Sequence, residues 1–162
     1  MPELLEIMDT NLPMSIDSQT AFPWLSLIVL LPAVGALIMP FLPTQETKNT
    51  NLPRNISLFV LFADFLIIAA VLANLFDPSS ESLQLVERLQ WLPSIGLEWS
   101  LGVDGISAPL VVLSGLITLL SAAASWKVKQ KTRLYFALLL IQASAQALVF
   151  LSQDFLLFFL AW

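Results

Sequence analysis

Long uncharged or nearly uncharged apolar runs, separated by short polar segments, dominate this chain of 162 residues. The runs cover residues 22–42, 56–76, 106–126 and 134–151, and a fifth covers residues 155–162. An α-helix rises about 1.5 Å per residue, so a run of twenty-one residues spans about 31 Å, the thickness of the hydrocarbon core of a bilayer. The pattern predicts an all-α integral membrane protein with four transmembrane helices and the start of a fifth.

The composition agrees with a membrane protein and excludes several function classes. Hydrophobic residues make up 57% of the chain and charged residues 12%, whereas about a quarter of a soluble domain is charged. Cysteine and histidine are both absent, which removes disulfides, thiolate nucleophiles and the commonest soft metal ligands. We therefore expect this chain to bind no metal or cofactor itself. The net charge of −5 argues against a nucleic-acid partner, whose binding site would be basic.

The two ends of the chain lead to separate expectations. The eight apolar residues from Phe155 to Trp162 span about 12 Å as a helix, less than half of the hydrocarbon core. A helix that stops there leaves its last carbonyls unpaired in lipid, so we expect a longer protein, or a partner chain that covers the end. Residues 1–21 are acidic and lack the basic segment and cleavage site of a secretory signal. We interpret them as an N-terminal extension before a retained first helix.

The charged residues between the runs predict the orientation in the membrane. Six of the seven lysines and arginines lie in the segments 43–54 and 127–133, whereas the segment 77–105 holds five acidic residues and only Arg88. By the positive-inside rule, the two basic segments face the cytoplasm. The segments 1–21 and 77–105 then face the lumen or periplasm.

The long segment between the second and third runs has a pattern of its own. Ser82–Arg88 and Leu97–Leu101 alternate polar and apolar residues on either side of residues 92–96. This predicts a short hairpin on the outer membrane face, with Trp91 and Trp99 at the membrane interface. The alternative is an irregular loop with two aromatic anchors.

Four segments carry a resemblance to a known family: residues 22–25 (FPWL), 83–87 (LQLVE), 90–107 (QWLPSIGLEWSLGVDGIS) and 153–162 (QDFLLFFLAW). The third resembles the segment before the third helix of the antiporter-like membrane subunits of respiratory complex I. The fourth resembles the beginning of the fifth helix of those subunits. The first two are similar to the subunit 4 (D subunit) group of the NAD(P)H–quinone oxidoreductase of cyanobacteria and plastids.

The resemblance implies a proton-translocating membrane subunit of an NAD(P)H- or ferredoxin-dependent plastoquinone oxidoreductase, packed against the other membrane subunits in a thylakoid membrane. Plastoquinone and iron–sulfur clusters would then be bound by other parts of the complex. In this family a membrane glutamate follows the position of Trp162 and is partnered by a lysine on a later helix, so the expected catalytic residues lie beyond this sequence. The alternatives are a subunit of a multi-subunit Na⁺/H⁺ antiporter and a noncatalytic membrane assembly protein.

Within the chain, three residues are candidates for a proton path. Asp64 is the single charge in the second run, about 12 Å from its start, and a carboxylate at that depth is a functional hypothesis by default. The alternative is a structural acid that is protonated or bonded to a serine or glutamine of a neighbouring helix. Gln142 and Gln146, with Ser144 between them, either line a hydrated path or form hydrogen bonds across a helix interface. We favour the interface for the two glutamines.

The remaining polar positions predict structural roles. Asp104 and Asp154 precede the third and fifth helices, where a carboxylate caps the helix or complements its dipole. The basic segment 127–133 has a possible anionic partner in lipid or in another subunit, but its simplest role is to fix the topology. Gly102 and Gly105 lack the strand, helix and lysine of a phosphate-binding loop.

Overall fold

The computed structural model describes residues 22–42, 51–80, 82–92, 97–128 and 130–162. The predicted N-terminal extension, residues 1–21, lies outside the described residues. The described ranges form the following elements: α1 (Trp24–Ile38), α2 (Asn51–Leu75), β1 (Gln84–Leu92), β2 (Leu97–Val103), α3 (Ser107–Ala124), α4 (Thr132–Leu151) and α5 (Phe155–Ala161). Short 3₁₀ helices, Met39–Phe41 and Ser125–Lys127, extend α1 and α3.

Four helical segments are long and apolar enough to cross a membrane: Trp24–Phe41, Asn51–Leu75, Ser107–Lys127 and Thr132–Leu151. The fifth helix has seven residues. The structure therefore confirms the predicted all-α fold class of a multi-pass membrane protein. Apart from the start of α2, the predicted bounds agree with the observed ones to within two residues at each end, which is the usual uncertainty of helix boundaries.

Helix α2 extends at least five residues before Ile56, the predicted start of the second span. Helix α2 includes Asn51, Pro53 and Arg54, whereas the apolar run begins only at Ile56. The guanidinium carbon of buried Arg54 lies 3.7 Å from the centre of the Trp126 ring. This cation–π contact helps to hold a charged residue inside the helix, where hydropathy alone predicts a loop.

The four long helices pack as a bundle in which α1 contacts α2 and α4, and α3 contacts the same two helices. Helices α2 and α4 also touch, so they form the short diagonal of the bundle. Buried apolar side chains form two clusters. The first includes Ile28, Ile68 and Ala147, and the second includes Ala36, Leu61 and Leu140.

Glycines allow the helices to approach closely. A Cβ atom added at Gly35 of α1 would lie 3.1 Å from Cγ1 of Val60 and 3.4 Å from Cδ1 of Leu140. A Cβ atom added at Gly115 of α3 would lie 3.1 Å from Cδ1 of Ile68. Small residues at such crossings are typical of membrane helices, because packing rather than water exclusion drives their association.

The two strands pair antiparallel, with Leu89 opposite Trp99 and Glu87 opposite Leu101. Both strands extend beyond the predicted segments, to Leu92 and Val103. The register is irregular between Gln84 and Glu87, because Leu85 adopts a left-handed conformation with φ of 54°. Placement of this pair on the outer membrane face stays a prediction, and residues 93–96 between the strands lie outside the described ranges.

We expect Gly35→Val to destabilise the bundle by about 1–3 kcal/mol, because its added carbons overlap Val60 and Leu140. The measurement is the unfolding midpoint of the complete protein in a detergent titration. Gly105→Val is the matched control, since a Cβ atom there meets nothing within 4 Å. Equal midpoints for the two variants would contradict the close helix contact.

Candidate functional site

Asp64 lies on the buried stripe of α2. Its neighbours on that stripe are Leu61 and Ile68, which face the same side of the helix one turn away. Only 4% of Asp64 is exposed. It is also the only acidic residue within the five described helices. Asp64 therefore faces the interior of the bundle rather than lipid, because it lies on the same face of α2 as the buried residues Leu61 and Ile68.

A small cavity adjoins Asp64 where the two apolar clusters meet. Its lining comes from three helices: Leu61, Asp64 and Ile68 of α2, Ser114, Gly115 and Thr118 of α3, and Ala143 and Ala147 of α4. The cavity leaves about 10 Å³ in which the centre of a water molecule can lie, which is close to the space that one water needs. The glycine and the two alanines create this space because their side chains are too short to fill it.

The hydroxyl groups of the lining donate their hydrogen bonds away from the carboxylate. Ser114 Oγ donates to the carbonyl of Val111 at 2.9 Å. Thr118 Oγ1 lies 2.8 Å from the carbonyl of Ser114 and 3.2 Å from Oε1 of Gln146, and its single proton can bond to either acceptor. Among the described residues, Oδ1 of Asp64 is buried without a hydrogen-bond partner.

An unpaired buried oxygen is costly, by about 1–3 kcal/mol, and such groups in native proteins call for a specific explanation. The structural alternative for Asp64 included a hydrogen bond to a serine or glutamine of a neighbouring helix. The described part of the chain does not supply that bond. The site instead combines a carboxyl group with a small cavity that is close to the size of one water.

The two glutamines of α4 lie in different environments. Gln146 is half-buried and accepts from Thr118 across the α3–α4 interface, so it adjoins the lining of the cavity. Gln142, one turn away, is exposed. Ser144 Oγ donates to the carbonyl of Val29 at 2.7 Å and ties α4 to α1. Gln146 thus makes a contact of the kind that the interface prediction expects, while the described residues give Gln142 no such contact. A role of either glutamine in a proton path stays a prediction.

A second group of polar contacts joins β1 to the start of α1, and no local sequence pattern predicts it. The carboxylate of Glu87 accepts from the N–H groups of Leu25 (2.7 Å) and Ser26 (2.9 Å) and from the hydroxyl of Ser26. The N-cap residue of α1, Pro23, offers no side-chain cap. Glu87 therefore satisfies N–H groups that would otherwise lack an acceptor, at the end of the dipole that favours a negative charge.

Trp99 of β2 belongs to the same contact. Its indole Nε1 donates to Oγ of Ser26 at 2.9 Å, and its ring packs on the first apolar cluster. The ring therefore has a partner inside the protein, in addition to its predicted place at the membrane interface. The side chain of Trp91 lies outside the described residues.

Asp154 joins β2 to α5. Its Oδ1 accepts from the N–H of Leu156 at 2.9 Å, which confirms the predicted helix cap. Its Oδ2 accepts from the N–H of Glu98, also at 2.9 Å. The next residue back, Gln153, donates its N–H to the carbonyl of Ser100 at 2.8 Å. The N–H groups of Glu98 and Leu156 lower the pKa of Asp154.

Asp104 closes the turn before α3. Its Oδ1 accepts from the N–H groups of Ile106 (3.0 Å) and Ser107 (2.6 Å), while Oγ of Ser107 accepts from the N–H of Asp104. The bond from the N–H of Ser107 is the main cause of a lowered pKa for this carboxyl group. Its predicted structural role is confirmed, although Ile106, rather than Asp104, occupies the N-cap position.

One member of the basic segment has a structural contact that the sequence did not reveal. Arg133 Nη1 donates to the carbonyl of Leu42 at 2.6 Å and to that of Pro40 at 3.4 Å. A cation is favoured at the C-terminal end of a helix, where carbonyl groups lack helical partners. The side chains of Lys127 and Lys131 are exposed. Within the described ranges, no three acidic side chains gather as a metal site would require.

Comparisons with known proteins cover most of the chain. Residues 27–152 match the family model described as NADH-ubiquinone oxidoreductase chain 4, amino terminus. The chain is 48% identical over 141 residues to an NAD(P)H-quinone oxidoreductase chain 4 of Microcystis aeruginosa, covering 87% of this chain and 25% of that relative. It is 49% identical over 145 residues to the chain 4 of Prochlorococcus marinus, covering 89% and 26%. The chain thus spans about a quarter of the length of these relatives.

We expect Glu87→Gln to loosen the start of α1, because a neutral amide is a weaker acceptor than a carboxylate at a helix N-terminus. Hydrogen exchange at the amides of Leu25 and Ser26 should become about tenfold faster, equivalent to about 1.4 kcal/mol. Glu98→Gln is the matched control, since the side chain of Glu98 is exposed and only its N–H is bonded. Unchanged hydrogen exchange in Glu87→Gln would show that the carboxylate does not stabilise the start of α1.

We expect the contact between β2 and α5 to weaken in acid. The folded structure lowers the pKa of Asp154 below its ordinary 3.8. The stabilisation is therefore complete above pH 3.8 and is lost as the pH falls through the lower, folded-state pKa. Hydrogen exchange at the Glu98 amide should accelerate over that range, and Asp154→Asn should remove the pH dependence.

The control for this titration is Asp104→Asn. Asp104 also has a lowered pKa, but its carboxylate bonds to the start of α3 and not to β2. This variant should leave the acid response of the Glu98 amide unchanged. If the Glu98 amide still exchanges faster in acid in Asp154→Asn, a group other than Asp154 causes the acid response.

Proposed function

Because the chain belongs to the NADH-ubiquinone oxidoreductase chain 4 family, whose model matches residues 27–152, we propose that it is the N-terminal part of a proton-translocating membrane subunit. The complete subunit acts within an NAD(P)H- or ferredoxin-dependent plastoquinone oxidoreductase. Quinone reduction takes place in other subunits of the complex, and the free energy released there drives protons through this one. The proposal places the protein in a thylakoid membrane, beside the other membrane subunits, with its basic segments on the cytoplasmic side.

The observation that carries the proposal is the extent and nature of the match. Identity of 48–49% extends over 87–89% of the chain, and the matched region includes four helices of membrane-spanning length. The relatives bear the names of quinone oxidoreductase chains. Those names favour an oxidoreductase subunit over the two alternatives, an Na⁺/H⁺ antiporter subunit and a noncatalytic assembly protein.

In the proposal, the contacts around α5 hold in place the helix that carries the family's membrane glutamate. In the proposal, the family's membrane glutamate follows Trp162 and thus continues α5. Asp154 and Gln153 bond the start of that helix to β2, and Leu157 is fully buried against the first apolar cluster. Helix α5 is therefore fixed at its start by both polar and apolar contacts. The bundle and the strand pair hold the proton-binding carboxylate in place while the charges near it change.

The decisive experiment is to tag the complete protein, purify it from thylakoid membranes and sequence it past Trp162. We expect a glutamate directly after Trp162, several further apolar helices, and copurification with ferredoxin- or NAD(P)H-dependent plastoquinone reductase activity. Replacing that glutamate by glutamine should abolish most proton pumping. An unrelated tagged thylakoid protein is the control for copurification.

Two outcomes would overturn the proposal. Copurification with antiporter subunits and no quinone reductase activity would assign the protein to the antiporter class. A mature protein that ends at Trp162 would lack the expected carboxylate, and the assembly role would then take its place.

A further inference from the structure

Asp64 and its cavity have no part in the function proposed above, which places the proton-binding carboxylate after Trp162. We propose that Asp64 is a second proton-binding site of the subunit, and that it exchanges its proton through one water in the cavity, Thr118 and Gln146. The inference rests on the proposed function only in assigning that exchange to proton transport. The site itself is defined by residues of the four-helix bundle.

The first support is the absence of a charged partner for Asp64 among the described residues. Helices α1 and α3 contain no titratable residue. Helix α4 contributes Arg133 and Tyr135, both in its first turn, and these bond to Leu42 and Ser125. Arg54, on α2 itself, lies ten residues before Asp64, or about 15 Å along the helix, against the Trp126 ring.

An ionised carboxylate without a cation or donors is expensive at this depth. A protonated carboxyl group is neutral and has one O–H to donate. A cavity with room for one water supplies an acceptor for that O–H. Because carboxylate and carboxyl differ only by the bound proton, the site can change its occupancy without a rearrangement of the helices.

The cavity suits a proton better than a metal ion. Calcium and magnesium bind about six or more oxygen ligands. The lining includes only three side chains with oxygen atoms, those of Asp64, Ser114 and Thr118, and the rest is apolar. Space for about one water cannot supply the missing ligands.

A line of polar groups leads from the cavity toward the surface of the chain. Thr118 lines the cavity and lies within hydrogen-bond distance of Gln146. Its hydroxyl has two alternative acceptors, so it can rotate between them and also accept a bond from a water. Gln146 is half-buried and Gln142, one turn away, is exposed. When Asp64 gives up its proton, its O–H bond breaks and the cavity water gains the proton. That water then passes a proton to Oγ1 of Thr118, which releases its own hydroxyl proton toward Oε1 of Gln146.

The test is infrared difference spectroscopy on the complete protein in lipid, recorded between acid and alkaline pH. A protonated carboxyl group buried in hydrocarbon gives a resolved C=O stretching band. The glutamate proposed after Trp162 gives a band of its own, which should be present in every variant. We expect a further pH-dependent band in the native protein that vanishes in Asp64→Asn and shifts in Asp64→Glu. Asp77→Asn is the control, because Asp77 is exposed and lies outside the spans. Identical bands in the native protein and Asp64→Asn would overturn the proposal.

The route is tested by deuterium exchange of the same band. Thr118→Val keeps the approximate shape of the side chain but removes the hydroxyl, and it should slow exchange by about tenfold or more. Ser144→Ala is the matched control, since it removes a hydroxyl of α4 that bonds to Val29 outside the cavity. Equal exchange in the two variants would overturn the route through Thr118.

Proton pumping by the purified complex separates this inference from the proposed function. With assembly and quinone reduction intact, Asp64→Asn should lower the protons moved per electron. Unchanged pumping and an unchanged infrared band would overturn the role of Asp64 and leave the proposed function standing. A protein that does not copurify with the reductase would overturn the proposed function, while the infrared experiment would still report on Asp64.

Discussion

The structure depends on one constraint: backbone N–H and C=O groups inside a membrane must find partners within the protein, because lipid offers none. Helices meet this need along their length but not at their ends, where four N–H groups and four carbonyls have no helical partner. In this chain, residues distant in sequence supply several of the missing partners. Glu87 accepts from the first N–H groups of α1, Arg133 donates to carbonyls after its last turn, and Asp154 serves both α5 and β2.

These end contacts also determine how the strand pair relates to the helices. Through Glu87 and Trp99 the strands bond to α1, and through Ser100 and Glu98 they bond to the start of α5. The strand pair therefore connects the starts of α1 and α5 by hydrogen bonds.

Asp64 is the acidic side chain of the described bundle, and one of its oxygens lacks a partner among the described residues. The polar side chains Ser144, Thr118 and Gln146 are each bonded to another group, and these bonds add to the packing of α4 against its neighbours. Asp64 is buried beside a cavity instead of a partner. The two apolar clusters on either side of it are continuous bodies of aliphatic side chains. A polar site between them interrupts the packing, and such interruptions within a membrane are a usual mark of function.

The sequence by itself determined the four spans, the short fifth helix, the strand segments and the family, because hydropathy, alternation and local motifs depend on neighbouring residues. It also singled out Asp64, since a lone acid in an apolar run is visible without any fold. Only the tertiary structure decided which polar groups meet. Glu87 and Leu25 are 62 positions apart, and no local pattern links them. Arg54 contacts Trp126, which is distant in sequence. The cavity beside Asp64 exists only because glycine and alanine from two other helices face it. Contacts and spaces of this kind arise from helix packing, which a linear pattern does not encode.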